Sequence, residues 1–256
     1  MGSKIITKQV KIEPAALNII GGMRWTEQGE QVVGVLTCGQ IDRKMYEAVN
    51  KGLDLLGGKW NKKTGGHVFA IDPRQQVAEM LGTGTVTVEK DGFYRTPRAI
   101  VLQMLDMLRD PSDVILEPSA GDGGIADVLL EFGHRVDAIE RNQQRREILE
   151  KKGHRVLECT DFMEFHRTRE YKTIVMNPPF ENMQDVDHIT HAFNNCLADG
   201  GQLVSVVSES PFFRDTAKAE AFRQMIDAYG YSIELPEGAF KESGTMVKCR
   251  LVYLEK

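Results

Sequence analysis

From about Asp113 the sequence alternates short apolar runs with amphipathic stretches, and no other feature narrows the possible folds as far. An apolar run bounded by turn residues suits a strand covered on both sides, and an amphipathic stretch between two such runs supplies a covering helix. The candidate strands are Val114–Glu117, Val136–Glu140, Arg155–Glu158, Thr173–Met176 and Gln202–Val207. Helices are expected at Gly124–Phe132, Gln143–Lys152, Asp185–Ala198 and Asp215–Tyr229. Two further strand-like runs, Ser232–Leu235 and Val247–Leu254, flank the loop Pro236–Met246. A helix over Pro97–Arg109 precedes the first strand, with Thr96 as N-cap and Pro97 at its first position. The expected fold is α/β, a doubly wound, mostly parallel sheet with helices on both faces.

The first 95 residues read differently, as mixed strand and helix. Asp42–Leu56 forms an amphipathic helix, and Lys59–Ile71 a hairpin around Lys62-Lys63-Thr64-Gly65-Gly66. The turn residues Lys90-Asp91-Gly92 mark the boundary, dividing the chain into a small module, 1–91, and a larger domain, 92–256. Charge divides unevenly too. Residues 1–95 hold 13 Lys/Arg against 10 Asp/Glu, an excess of +3, whereas residues 96–256 hold 19 against 27, giving −8. The amino-terminal module is therefore the better electrostatic candidate for binding nucleic acid or another partner.

The whole chain, 256 residues with a net charge of −5, is not one that binds nucleic acid by electrostatics alone. No apolar run approaches bilayer length, and Met1 to Val10 lacks the uninterrupted apolar stretch of a secretory signal, so no membrane association and a cytoplasmic location are expected. Cys38, Cys159, Cys196 and Cys249 form no CxxC pair and suggest neither a zinc site nor a disulfide framework. They are expected to be buried, reduced thiols, and no metal is expected.

The first parallel strand runs into Glu117-Pro118-Ser119-Ala120-Gly121-Asp122-Gly123-Gly124, and a helical pattern follows at once. That is where an open α/β sheet binds a nucleotide-like ligand. Glycines let the backbone approach that ligand closely. The loop is acidic-x-x-x-Gly-x-Gly rather than GxGxxG, so Glu117 stands where a carboxylate favours a cationic amino-acid moiety and gains nothing from a pyrophosphate. This favours S-adenosylmethionine over NAD, with Ser119, Ala120, Gly121 and Gly123 as the cradle. Glu140 ends the second strand 19 residues after Gly121, the separation at which a carboxylate accepts hydrogen bonds from both ribose hydroxyls; Arg141 beside it is counted with the cofactor residues. After the third strand, Asp161 could take the adenine amino group and Phe162 cover the ring, or the two could be a helix N-cap and a core side chain.

The fourth strand delivers Asn177-Pro178-Pro179-Phe180 to the same edge. Two prolines fix φ and remove two amide donors, which frees the carbonyls of Asn177 and Pro178. A planar amine is a poor nucleophile because its lone pair is delocalised. Acceptors on its two hydrogens, the Asn177 side-chain oxygen and the Pro178 carbonyl, favour localisation, while Phe180 stacks on the ring and sets the angle of attack.

These parts, in the order Phe93-Tyr94-Arg95-Thr96-Pro97, Glu117 loop, Glu140, Asp161, Asn177 to Phe180, resemble the class I S-adenosylmethionine-dependent amino-methyltransferases. Among these the chain is similar to the DNA N6-adenine methyltransferases of phages and mobile elements, with a gamma-like motif order. The resemblance covers about Gly92 to Lys256. It implies a seven-stranded sheet with an antiparallel last strand, contacts of Tyr94 and Thr96 with the methionine end of the cofactor, and transfer to N6 of a flipped-out adenine in DNA. It also implies that Leu235–Thr245 lies near the entering base, while Ser208–Phe213 could form another wall of the pocket. No large target-recognition domain is present, so Lys59-Trp60-Asn61-Lys62-Lys63 or a partner chain would supply recognition. Three alternatives stay open: an RNA base N-methyltransferase, a protein glutamine methyltransferase (usually with Tyr at the place of Phe180), and a methyltransferase-fold binding protein without catalysis.

Overall fold

The computed structural model describes residues 6–29, 31–90, 93–111, 114–159, 161–166 and 170–256. They form two compact units, Met1–Asp91 and Gly92–Lys256. The expected boundary turn at Asp91-Gly92 lies outside the described residues.

The first unit packs helices Pro14–Gly21, Arg43–Asp54 and Arg74–Thr83 with two antiparallel sheets. One pairs Ile6–Lys11 with Thr85–Lys90. The other has four strands, in the order Arg24–Gln28, Gln31–Val35, Gly66–Phe69, Lys59–Asn61. Asp42 caps its helix by accepting from the Met45 N–H, and Val49 and Leu53 on the inner face pack with Phe69 and Met80.

The larger unit is built on a seven-stranded sheet of β1 Val114–Glu117, β2 Arg135–Ala138, β3 Arg155–Val156, β4 Tyr171–Met176, β5 Leu197–Ser208, β6 Gly230–Glu234 and β7 Cys249–Glu255. Their spatial order is β6-β7-β5-β4-β1-β2-β3. The five strands β1 to β5 run parallel and β7 lies antiparallel between β5 and β6. The longer helices are α1 Arg98–Met107, α2 Ala126–Glu131, α3 Gln143–Lys151, α4 Gln184–His191 and α5 Ala217–Tyr229. Alternate residues along each strand enter opposite layers. Ile115, Val175 and Val204 pack with α1 and α2, whereas Leu116, Ile174 and Leu203 pack with α4 and α5. Both faces of the sheet are thus covered, as the apolar runs require.

Three local expectations are corrected. The helix expected from Pro97 starts at Arg98, because Pro97 is extended (ψ 140°) and itself occupies the cap position; the Thr96 hydroxyl is used elsewhere. The helix expected to run to Ala198 ends at His191, widens into a π-turn over Ala192–Cys196, and gives way to β5 at Leu197. The early start of β5 is possible because Asp199-Gly200-Gly201 is accommodated as an irregularity between the Tyr171–Leu197 and Thr173–Gln202 pairs, with Gly200 at φ 69°. Third, the thiols are unpaired but not all buried: Cys38 is exposed and Cys159 intermediate. Cys38 lies between strand and helix, where no layer covers it. Burial pushes Cys196 and Cys249 up to about 12, so these two are inert at neutral pH.

Candidate active site

The carboxyl ends of β1 and β4 meet where the chain order of the sheet reverses, and an open α/β sheet binds its ligand in the crevice at such a reversal. Ile174 pairs with Leu116, so Glu117 at the end of β1 and Asn177 just past β4 emerge on neighbouring strands. Glu117 is 1% exposed and its Oε2 has no hydrogen-bond partner. Burial pushes its carboxyl well above the usual range, and the charge of Asp127 adds to this, against a hydrogen bond from the Ala126 backbone. A buried carboxyl with an idle oxygen is costly unless a ligand uses it, and a cationic ligand group would restore its charge.

The loop after Glu117 is shaped by its glycines. Gly121 has φ +57°, and a side chain there would also run into the ring of Phe93. The Gly121 N–H donates to Glu140 Oε2 at 2.8 Å, which fixes the loop against the end of β2. Glu140 Oε1 accepts from the Asn142 N–H at 2.7 Å and from Arg145 Nη2 at 3.0 Å. Of about four acceptor positions on a carboxylate three are therefore filled. One remains for a ribose hydroxyl, and accepting both would require Arg145, stacked over Phe93, to swing away. Below the loop Arg95 pairs with Asp122 and Asp127. Burial works against the charge on Asp127, but hydrogen bonds from His154, Lys152 and Arg95 outweigh it and hold Asp127 at about 2. Ala120 is buried and Ser119 half-buried, and Gly123 (φ +93°) closes the turn by donating to the Ala120 carbonyl.

Asn177 shows the clearest geometry. Its Nδ2 donates to the Tyr94 carbonyl at 3.1 Å and to Thr96 Oγ1 at 3.0 Å. A carbonyl can only accept, so the amide cannot be turned round. The Oδ1 is buried and has no partner. Pro178 is buried, and Phe180 packs its ring partly against the core on the α1 side. The chain then turns through Asn182 (φ 55°) and Met183 (φ 59°), two non-glycine residues in the left-handed region, before entering α4. Such conformations cost of order 1–3 kcal/mol each. Asp185, two residues on, is fully buried and accepts from the Ser208 N–H and hydroxyl at the end of β5. Burial raises the Asp185 pKa against those hydrogen bonds.

On the β2–β3 side, Asp161 caps the turn Phe162–Glu164 by accepting from the Met163 N–H, and Phe162 is 3% exposed with its ring edge-on to His191. Both side chains hold the cap and core positions that the sequence left open beside a cofactor role. One residue escaped the sequence reading altogether. His188 on α4 packs against Phe162 with ring centroids 5.6 Å apart, and its Nδ1 is buried without a partner. Burial lowers its pKa to about 4, against the charges of Asp161 and Asp187. No motif marks a histidine within an amphipathic helix; only its place beside Phe162 does.

The segment 235–245 is anchored by Phe240, which is fully buried, and its Ser243 hydroxyl donates to the Arg95 carbonyl, between the two residues that hold Asn177. Glu209, after β5, is gripped by Arg250, which also pairs with Glu234 and lies over the Phe212 ring. Among the described residues no group of His, Cys, Asp or Glu is placed to hold a metal ion, and no helix is long and apolar enough to cross a membrane.

Residues 88–234 match the model of a family described as a methyltransferase domain. No curated protein matches the sequence. Among solved structures, the methyltransferase subunit of the type I restriction–modification system from Streptococcus thermophilus superimposes with a TM-score of 0.52 at 15% identity, over 65% of this chain and 45% of that one. A second type I restriction–modification structure gives a TM-score of 0.51 at 19% identity, over 63% of this chain and 42% of that one. The chain thus spans less than half the length of either, and the likeness is one of fold.

Proposed function

The chain belongs to the methyltransferase domain family, and on that premise we propose that it methylates N6 of adenine in DNA, taking the base flipped out of the helix. The methyl donor is S-adenosylmethionine. When bound, it supplies an electrophilic methyl group on a sulfonium.

The residues present fit that donor. The idle, buried Oε2 of Glu117 suits its cationic amino-acid end, the Gly121 turn admits close approach, and Glu140 keeps one acceptor position for the ribose. The observation that carries the reading is Asn177: the Tyr94 carbonyl and Thr96 hydroxyl hold its amide nitrogen, so its free oxygen is a preset acceptor for one N–H of an amine. The Pro178 carbonyl takes the other. Together they draw the lone pair out of conjugation and aim it, which is preorganisation of position and charge rather than general-base catalysis. The proton leaves the nitrogen after transfer has made it cationic. Phe180 covers one face of the base. Tyr94 acts here through its backbone, and Thr96 by accepting from Asn177.

We assign the first unit to nucleic-acid contact. Trp60 is 48% exposed on the hairpin, edge-on to Tyr46 and His67, and among the described residues no ion pair engages Lys59, Lys62 or Lys63. An exposed indole amid uncommitted lysines suits stacking on bases and contact with phosphates. A partner chain is the other possible source of target recognition.

The test is incubation with methyl-labelled S-adenosylmethionine and separate pools of DNA, RNA and protein, followed by nucleoside analysis. Label in N6-methyladenine from DNA is expected; label in RNA alone would overturn the substrate.

A further inference from the structure

Among the buried polar atoms of the larger unit that have no partner are Glu117 Oε2 and Asn177 Oδ1, which serve the site described above, and His188 Nδ1, which does not. A buried polar atom in that state costs on the order of 1–3 kcal/mol, so its retention calls for a use. Its surroundings indicate one. Phe162, against which the ring packs, follows β3. The titratable groups that face it include Asp161, which follows β3, and Arg141, which follows β2, together with Asp187 and His191 of its own helix. His188 therefore stands among residues that two neighbouring strands deliver to the sheet edge already assigned to the cofactor.

We propose that His188 is a specificity-determining residue for the cofactor's base, its imidazole N–H donating to a purine ring nitrogen while the Asp161 carboxylate accepts from the adjacent exocyclic amine. The inference rests on the S-adenosylmethionine reading above. The chemistry is complementary. The amine edge of adenine offers a donor beside an acceptor; an ionised carboxylate can only accept, and a neutral imidazole can place its one N–H on Nδ1. Asp161 spends Oδ1 on the Met163 N–H and has a second oxygen. A deaminated purine reverses both polarities and would leave both protein groups facing their own kind. Sites that hydrogen-bond a substrate group discriminate strongly against analogues that lack it, because their buried groups are then unpaired.

The experiment titrates the full chain calorimetrically with S-adenosylhomocysteine and with its deaminated counterpart, S-inosylhomocysteine. Wild type should prefer the adenine form at least tenfold. His188→Phe keeps a ring against Phe162 but has no nitrogen; it should bind the adenine form about tenfold more weakly, with the preference narrowed to the part that Asp161 supplies. His188→Asn, whose amide can donate, should recover most of the loss. Asp161→Asn, which supplies a donor facing the base while its oxygen still caps Met163, should shift the preference toward the deaminated form. His188→Asn and Asp161→Asn keep the idea testable should His188→Phe fail to fold. Undiminished affinity and preference in a folded His188→Phe would refute the assignment, as would a wild type that binds both ligands equally. A wild type that binds neither would instead sink the cofactor reading on which the proposal stands.

Discussion

The two units of this chain each bury a helix-and-sheet core and place their unusual side chains in opposite positions. In the first unit the unusual side chains face outward: Trp60 stands half exposed, and Lys59, Lys62 and Lys63 are in water. Its buried polar side chain, His67, is tied through Nε2 to Asn50 Oδ1 at 2.7 Å, and burial lowers its pKa, so the ring is neutral and its open Nδ1 carries no charge. In the larger unit the unusual groups face inward, where Glu117, Asn177 and His188 each hold an uncommitted atom out of water. The difference teaches which forces each unit can exert. Charges on a wet surface act at long range, weakly and under the control of salt. A preset polar atom in a dry crevice acts only at contact, but there it is worth far more.

The strongest way to break this comparison is Asn177→Ala. If inward atoms carry the chemistry, methyl transfer should fall about 100- to 1,000-fold, the scale of losing one preset group in a reaction centre, while calorimetric affinity for S-adenosylhomocysteine stays within about twofold. Full activity in Asn177→Ala would remove its acceptor role. Next comes Glu117→Gln, expected to weaken S-adenosylmethionine by about 10- to 100-fold, as a hydrogen bond to a charged group would. The same change should raise the melting temperature of the free protein, since it removes a carboxyl that burial and Asp127 both penalise. Stability gained with binding lost is the signature of a group kept for function. The pH dependence has a definite sign. Burial raises Glu117 above its ordinary 4.5 in the free protein, whereas a bound cation favours the carboxylate. Binding thus releases a proton, and affinity should rise with pH from about 4.5 up to the raised value, a slope that Glu117→Gln should flatten.

The outward side is tested by charge and salt. Trp60→Ala should weaken binding to single-stranded DNA by roughly tenfold, from the loss of a stacking surface. Lys62→Glu together with Lys63→Glu should lower affinity and reduce the slope of log K against log salt by about two. Neither change should alter affinity for S-adenosylhomocysteine. A salt slope unchanged in the double variant would leave the hairpin lysines as ordinary surface residues.

How far each side could be read from sequence follows from the same contrast. The sheet was legible because buried parallel strands must be apolar throughout, and Val114–Glu117 is found with the expected bounds. The glycine turn was legible because only glycine tolerates the left-handed backbone at 121 beneath the Phe93 ring. The end of α4 was not, since Ala192–Cys196 continues the helical pattern while the backbone widens, and the early start of β5 depends on pairing with β4. Hydrogen bonds spanning 81 and 83 residues, from Asn177 to Thr96 and Tyr94, leave no local trace. Nor does the partial filling of Glu140, whose oxygens accept from the Gly121 and Asn142 N–H groups and from Arg145 on α3. Motifs name residues, whereas the pairing of their atoms is decided by the fold.

Thr96 gives the smallest expected effect and the finest test. The family resemblance puts it on the methionine end of the cofactor, whereas the geometry has its hydroxyl accept from Asn177 Nδ2. The two roles make different demands of Thr96→Val, which keeps the shape and removes the oxygen. A cofactor ligand would lose affinity for S-adenosylhomocysteine and raise the KM for the methyl donor. A residue that holds Asn177 would instead lower kcat with cofactor affinity unchanged. The loss should be about five- to tenfold, as for one neutral hydrogen bond, because the Tyr94 carbonyl still grips the same amide nitrogen. Thr96→Ser retains the hydroxyl and should restore kcat, which a loss of packing alone would not allow. A fall in cofactor affinity with kcat intact would return Thr96 to the cofactor side and leave the Tyr94 carbonyl as the group that sets the amide.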